Sequence, residues 1–280
     1  MPPEEIEIVP FICEIATWLI FGAGIACGLV LVFLANLRKQ GEPLLPALGT
    51  LQARPFTFRH AVPVVALTGL GALTGALQAP AAEDAAATPK AIIIGMSALS
   101  GFGFLIIALC TLLTGRGPRT VFGNPAGTWL GAVGKGLLYG LAALPVVLLV
   151  QLAVAAAGNA LGLDMASQEI FTWLDDPAQP TPVFAAVVFF AVVVAPVSEE
   201  LLFRGILLPS LAKGRRFGFA VLLNSFYFAL IHLHGPSFLP LMLLSALFSV
   251  AYAVTGSILT PIIMHAVFNG TVVLFFFTSK

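Results

Sequence analysis

Charge is what this sequence has least of. Only 9% of its 280 residues are Asp, Glu, Lys or Arg, against roughly 25% in soluble domains, while 59% are hydrophobic. A soluble core of this length cannot hide that much apolar surface, so the composition points to a bilayer as solvent, with about 20 apolar residues per helical span. Net charge is zero and no basic cluster is interleaved with aromatics, which argues against a polyanionic partner and against nucleic acid. The three cysteines, Cys13, Cys27 and Cys110, are scattered through apolar runs. They give neither a disulfide framework nor a metal-ligand spacing and read as small packing residues. There is no internal repeat and no low-complexity tail.

What is present is a series of apolar runs, at about 9–36, 61–80, 91–114, 136–158, 183–211, 217–233, 238–255 and 258–277. None shows the two-residue alternation of barrel strands. The expected fold is all-α, a polytopic transmembrane bundle of about eight helices. The fifth run reads as the longest, tilted or ending in an interfacial turn near Pro209. The leader "MPPEEIEIVP" is acidic and the run after it is too long for a cleavable signal.

Charge asymmetry sets an expected orientation. With the N-terminus outside, Arg38, Lys39, Arg54, Arg59, Arg116, Arg119, Lys135, Lys213, Arg215 and Arg216 fall inside, and only Lys90 and Lys280 outside. Both termini are therefore expected to be non-cytoplasmic, in a multi-pass protein of the plasma (inner) membrane. The longest connections are 37–60, basic and proline-containing, and 159–182. The latter holds "MASQEIFTWLDD", readable as an interfacial helix or as an ordinary loop. Residues 1–120, N-terminal spans of open role, carry little chemistry; residues 125–280 carry nearly all of it.

A charge at mid-bilayer costs several kcal/mol, about 2.5–3.5 even on the lenient insertion scale, so each ionisable residue within a span asks for an explanation. There are six: Glu14, Glu199, Glu200, Arg204, His232 and His265. Glu14 lies near the outer end of the first run and reads as structural. In "SEELLFR", Glu200 and Arg204 stand at i and i+4 and can pair. Glu199 is rotated about 100° away and lacks that partner, which suits a general base. The competing reading is a structural ion cluster. In "NSFYFALIHLHG", Asn224, Phe228 and His232 share a helical stripe, while His234 reads as a loop histidine, as does His60 in a basic flank. In "TPIIMHAVFNG", His265 and Asn269 point the same way, unusual for a span unless something polar receives them. At about 1.5 Å per residue, Glu200 lies roughly 20 Å, His232 roughly 24 Å, and His265 with Asn269 roughly 12–18 Å from the inner edge. Three helices thus bring polar groups to similar depth.

These motifs, "EELLFR" as EExxxR, "FALIH" as FxxxH and "HAVFN" as HxxxN, resemble in this order the CPBP family, the CAAX-processing type II prenyl endopeptidases and their bacterial relatives. The resemblance covers roughly residues 125–280. It implies an intramembrane endopeptidase acting on a protein or peptide at the membrane. It also implies that Glu199 and His232 activate water, that His265 and Asn269 stabilise the oxyanion, and that Glu200 and Arg204 complete the first motif. The residue types suit hydrolysis, which needs an activated water and donors for the oxyanion. No cofactor is favoured: the H-E-x-x-H helix is absent and Asn is a poor zinc ligand. Zinc on Glu199, His232 and His265 is the alternative. Two rival functions stand beside the peptidase. One is a non-catalytic binding or immunity-type membrane protein. The other is a proton-coupled transporter, against which the missing repeat counts. Nothing in the sequence reads a prenyl group.

Overall fold

The computed structural model describes residues 45, 47–78, 89–117, 121–123, 128–163, 165 and 181–278. The first expected span at 9–36, with Cys13, Glu14 and Cys27, lies outside the described residues, as does nearly all of "MASQEIFTWLDD". Every described element is helical. That is the economical solution in lipid, where each backbone polar group must find its partner within the chain. The elements are α1 (Leu48–Gln52), α2 (Phe58–Gln78), α3 (Pro89–Leu113), α4 (Trp129–Ala160), α5 (181–212), α6 (Phe217–Leu230), α7 (Phe238–Thr255) and α8 (Leu259–Thr278), with one turn of 3-10 helix at Gly235–Ser237. The seven later apolar runs therefore form helices close to where the sequence places them. By length and composition alone, Trp129–Ala160, Pro182–Ala212 and Gly235–Thr255 can each cross a membrane. Leu112, Leu113, Phe219 and Leu274 stand half or more exposed on the outer faces, as lipid contact allows.

Three details differ from expectation. α4, with 32 residues, is as long as α5, which spans 181–212. Pro209 does not end α5, which continues through it to Ala212. The 37–60 connection contains α1, and His60 lies in the first turn of α2, its Nδ1 accepting from the backbone N–H of Thr57 at 3.1 Å. α1 docks through Ala47 N–H to Ala253 O at 3.0 Å, beside Arg54, which reaches Gly256 O at 3.4 Å.

Two packing units position the site. α8 lies along α4 because Gly136 and Gly140 leave a shallow track; a Cβ on Gly136 would stand 2.6 Å from Ile263 Cβ. On the other side, Phe203, Ile206 and Leu207 of α5 share a core with Phe228 of α6, Phe56, Ala61 and Val64 around α2, and Ile107 and Cys110 of α3. The Tyr227 hydroxyl ties α6 to α2 through Val65 O at 2.7 Å. The N-terminal helices thus wall the back of the helix that carries the paired glutamates.

Candidate active site

α5 is not a uniform α-helix. It runs as α-helix over Thr181–Phe189, π-helix over Phe190–Val194, α-helix over Ala195–Glu200, π-helix over Leu201–Leu207 and α-helix over Leu208–Ala212. Glu199 and Glu200 sit between two wide turns, a device that is rare overall and frequent at functional sites. The first wide turn leaves one carbonyl in need of a donor. In π register the N–H of Ala195 bonds Phe190 O, so Ala191 O would take the next N–H, that of residue 196. That residue is proline, which has none. The amide of Asn269 on α8 supplies the missing donor, with Nδ2 at 2.7 Å from Ala191 O.

The two glutamates meet opposite environments. Glu200 is fully buried and accepts from Arg204 Nη1 at 2.9 Å. Arg204, equally buried, also donates from Nη2 to Ser245 O at 2.9 Å and Ser245 Oγ at 2.7 Å. Its guanidinium carbon lies 4.9 Å from the ring centre of Phe228 and 5.2 Å from that of Phe248, within cation–π range. A buried ion pair is tolerable only when such partners replace water. Glu199 has a side chain 28% exposed, and among the described residues its Oε2 has no hydrogen-bond partner.

Both motif histidines are oriented through Nδ1. His232 Nδ1 lies 2.7 Å from Phe228 O. A carbonyl only accepts, so Nδ1 carries the hydrogen and Nε2 of the neutral ring presents a lone pair. His265 Nδ1 lies 3.0 Å from Glu200 Oε1, and its Nε2 is 4.0 Å from Glu199 Oε2. His265 bridges the two glutamates, held between the rings of Phe228 and Phe248.

Glu199, His232, His265 and Asn269 line one cavity of about 500 Å³. Its remaining wall is largely apolar, including Val147, Val187, Leu241, Leu244, Phe268 and Val272. Glu200 and Arg204 stand behind it. The three motifs, 65 residues apart between Glu200 and His265, therefore converge. Asn224 lies outside this wall, donating to Ser249 Oγ at 3.5 Å. His234 lies in the loop after α6, as the sequence reads, and it too lines the cavity. Leu233, with φ at 51°, sits in the left-handed region unusual for a non-glycine residue, and the turn it makes brings residues 232 and 234 to the same space. Two contributors went unread in the sequence. One is the Ala191 carbonyl. The other is Ser245, whose one signal was the i, i+4 pair Ser245 and Ser249 in an otherwise apolar helix. Ser249 Oγ donates to Ser245 O at 2.9 Å.

A zinc ion would need two or three of these side chains to converge at about 2.0–2.2 Å. Among the described residues no group of three His, Cys, Asp or Glu is gathered closely enough to hold a metal. The set Glu199, His232 and His265 does not fit one as it stands.

Residues 181–271 match the family described as type II CAAX prenyl endopeptidase Rce1-like. The match starts at α5, later than residue 125, so α4 lies outside it although Val147, Leu148 and Gln151 line the cavity. The membrane-embedded CAAX protease MroQ of Staphylococcus aureus (strain USA300) is 35% identical over 105 residues, covering 35% of this chain and 41% of that protein. The alignment thus spans less than half of that relative. No solved structure gives a significant match. All three motifs lie inside the matched segment and meet around one cavity, so residues 181–271 are similar to the CPBP/CAAX proteases.

Proposed function

We propose that this protein is an intramembrane endopeptidase that hydrolyses a peptide bond of a membrane-associated protein or peptide with a glutamate-activated water. The observation that carries the reading is the shared cavity. Glu199, His232, His265 and Asn269 line it, its other walls are mostly apolar, and the Glu200–Arg204 pair stands directly behind.

In this reading, Glu199 takes a proton from water while the Nε2 lone pair of His232 holds the water's other hydrogen. The water oxygen attacks the scissile carbonyl carbon. With His265 Nδ1 donating to Glu200, only a doubly protonated His265 can offer an Nε2–H to the oxyanion. Glu199, Glu200, Arg204 and His265 would then sum to zero charge, the favourable balance in a low-dielectric site. Asn269 has one amide hydrogen on Ala191 O and a second available to the oxyanion. As the C–N bond breaks, the proton on Glu199 passes to the leaving amine. The products are a carboxylic acid and an amine, which settle as carboxylate and ammonium, and no covalent intermediate forms.

The cavity lies toward the side of the bundle remote from Lys213, Arg215 and Arg216, because its lining comes from the end of α6, the later half of α4 and the middle of α8. If that basic turn is cytoplasmic, the substrate meets the site from the non-cytoplasmic half of the membrane. Single cysteines at 86 and 178 should then label from outside, and those at 45 and 214 only from inside. Outside labelling at 214 would reverse the orientation. The activity itself is tested by comparing membrane proteomes of wild type and Glu199→Gln at equal expression. A protein cleaved only with wild type supports the peptidase. Identical proteomes, with a phenotype that survives Glu199→Gln, would favour the non-catalytic reading.

A further inference from the structure

Asn269 has a task that precedes chemistry. Pro196 removes the one N–H that the first π-turn of α5 needs at Ala191 O, and Asn269 Nδ2 stands there at 2.7 Å. A π-turn acts as a one-residue insertion in an α-helix and rotates everything after it by about 100°. The rotation is felt at once by Ser198, Glu199 and Glu200. With the turn, Glu199 lines the cavity and Glu200 is buried against Arg204. Without it, Ser198 would take the place of Glu199 on the cavity wall, Glu199 would take the buried place of Glu200, and Arg204 would turn with them. Asn269 is itself on the cavity wall, two helices away in sequence, so it couples α8 to the register of α5.

We infer that Asn269 is a positioning residue for Glu199: by completing the carbonyl of Ala191 that Pro196 leaves without a donor, it holds the π-turn that sets which member of Ser198-Glu199-Glu200 faces the cavity. The inference rests on the peptidase reading only where activity is the readout. It differs from an oxyanion role in one respect: the need for Asn269 is created by Pro196 and disappears with it.

The test is a cycle of Asn269→Ala and Pro196→Ala, read in two ways. The first readout needs no catalysis. In a background with Cys13, Cys27 and Cys110 replaced, a cysteine at 199 or at 198 is probed with a small methanethiosulfonate reagent in detergent. Asn269→Ala should slow labelling at 199 by about tenfold and raise it at 198, as burial of the thiol changes. Adding Pro196→Ala, which restores an N–H at residue 196, should return both rates. The second readout is turnover. Pro196→Ala alone should stay within about threefold of wild type, and the double variant should regain the part of the Asn269→Ala loss that comes from misplacing Glu199, keeping only the part due to the missing oxyanion donor, a non-additivity expected only of groups acting on one element. Unchanged labelling in Asn269→Ala overturns the proposal. So does a double variant as impaired as Asn269→Ala alone, the result for a donor acting only on the oxyanion. If the labelling pattern appears but wild type cleaves nothing, the positioning role stands and the peptidase reading falls.

Discussion

The two faces of α5 divide a pair of adjacent, identical side chains. On the cavity face, Glu199 keeps a partly exposed carboxylate with an oxygen that no described group hydrogen-bonds. On the core face, Glu200 is sealed from solvent and shared between Arg204 and His265. Position relative to two π-turns decides which one can meet a water and which one holds the scaffold. A buried ion pair is not in itself a source of stability; its worth lies in what breaks when one partner is removed. Substitution on the cavity face should therefore spare the fold, and substitution on the core face should not.

The largest separation should come from the conservative substitutions. Glu199→Gln keeps the shape and removes the base. Turnover should fall by about 10²–10⁴-fold, the usual contribution of a positioned acid–base group, while the melting transition in detergent stays put. Glu200→Gln leaves Arg204 without its carboxylate and His265 without its anchor. It should lose activity and also about 3–5 kcal/mol of stability, the cost of orphaning one member of a buried pair. Melting curves measured beside an activity assay decide. Equal destabilisation by both substitutions would dissolve the distinction between the faces.

That distinction was half legible in the sequence. The i, i+4 spacing of Glu200 and Arg204 gave the pair, and the rotation of Glu199 away from it gave the two environments. The spans were legible because apolar length alone sets them in lipid. The π-turns were not, although Pro196 is their trace, since a proline in a span can equally kink an α-helix. The contact of His265 with Glu200 was also hidden. The sequence brings the two to similar depth, but which faces meet depends on α8 lying close on α4 at Gly136 and Gly140. His234 is in a loop as read, but its reach to the cavity was hidden, because a left-handed Leu233 cannot be foreseen from a residue type that avoids that region.

A smaller effect sharpens the core face from its far side. Ser245 gives Arg204 two acceptors, Oγ and the main-chain oxygen. Ser245→Ala removes only the first, and Ser249 still anchors to the second. The loss should be about 1–2 kcal/mol, at the low end for a hydrogen bond to a charged group, with turnover per folded molecule little changed. A drop in turnover comparable with that of Glu199→Gln, at unchanged melting, would mean that Ser245 acts on the chemistry and not through Arg204.

The smallest expected effect concerns the cavity face. A zinc mechanism would ask Glu199, His232 and His265 to do jointly what is assigned above to Glu199 with an oriented water. The two imidazoles could offer only Nε2, because each Nδ1 is engaged by Phe228 O or Glu200. A zinc would also draw Glu199 to within about 2.2 Å of the ion, close to an Nε2 of His265 that now stands 4.0 Å from its oxygen. The described residues gather no such group, so exhaustive chelation of purified protein should leave turnover within about twofold of the untreated sample, in contrast to the loss expected when a site metal is removed. Elemental analysis before chelation should find metal well below one per chain. If metal is instead stoichiometric, and activity is lost on chelation and restored by zinc, Glu199 becomes a ligand. The cavity face would then be a metal site, its difference from the core face would be one of coordination, and Glu199→Gln would act by lowering metal occupancy, which the same elemental analysis reads directly.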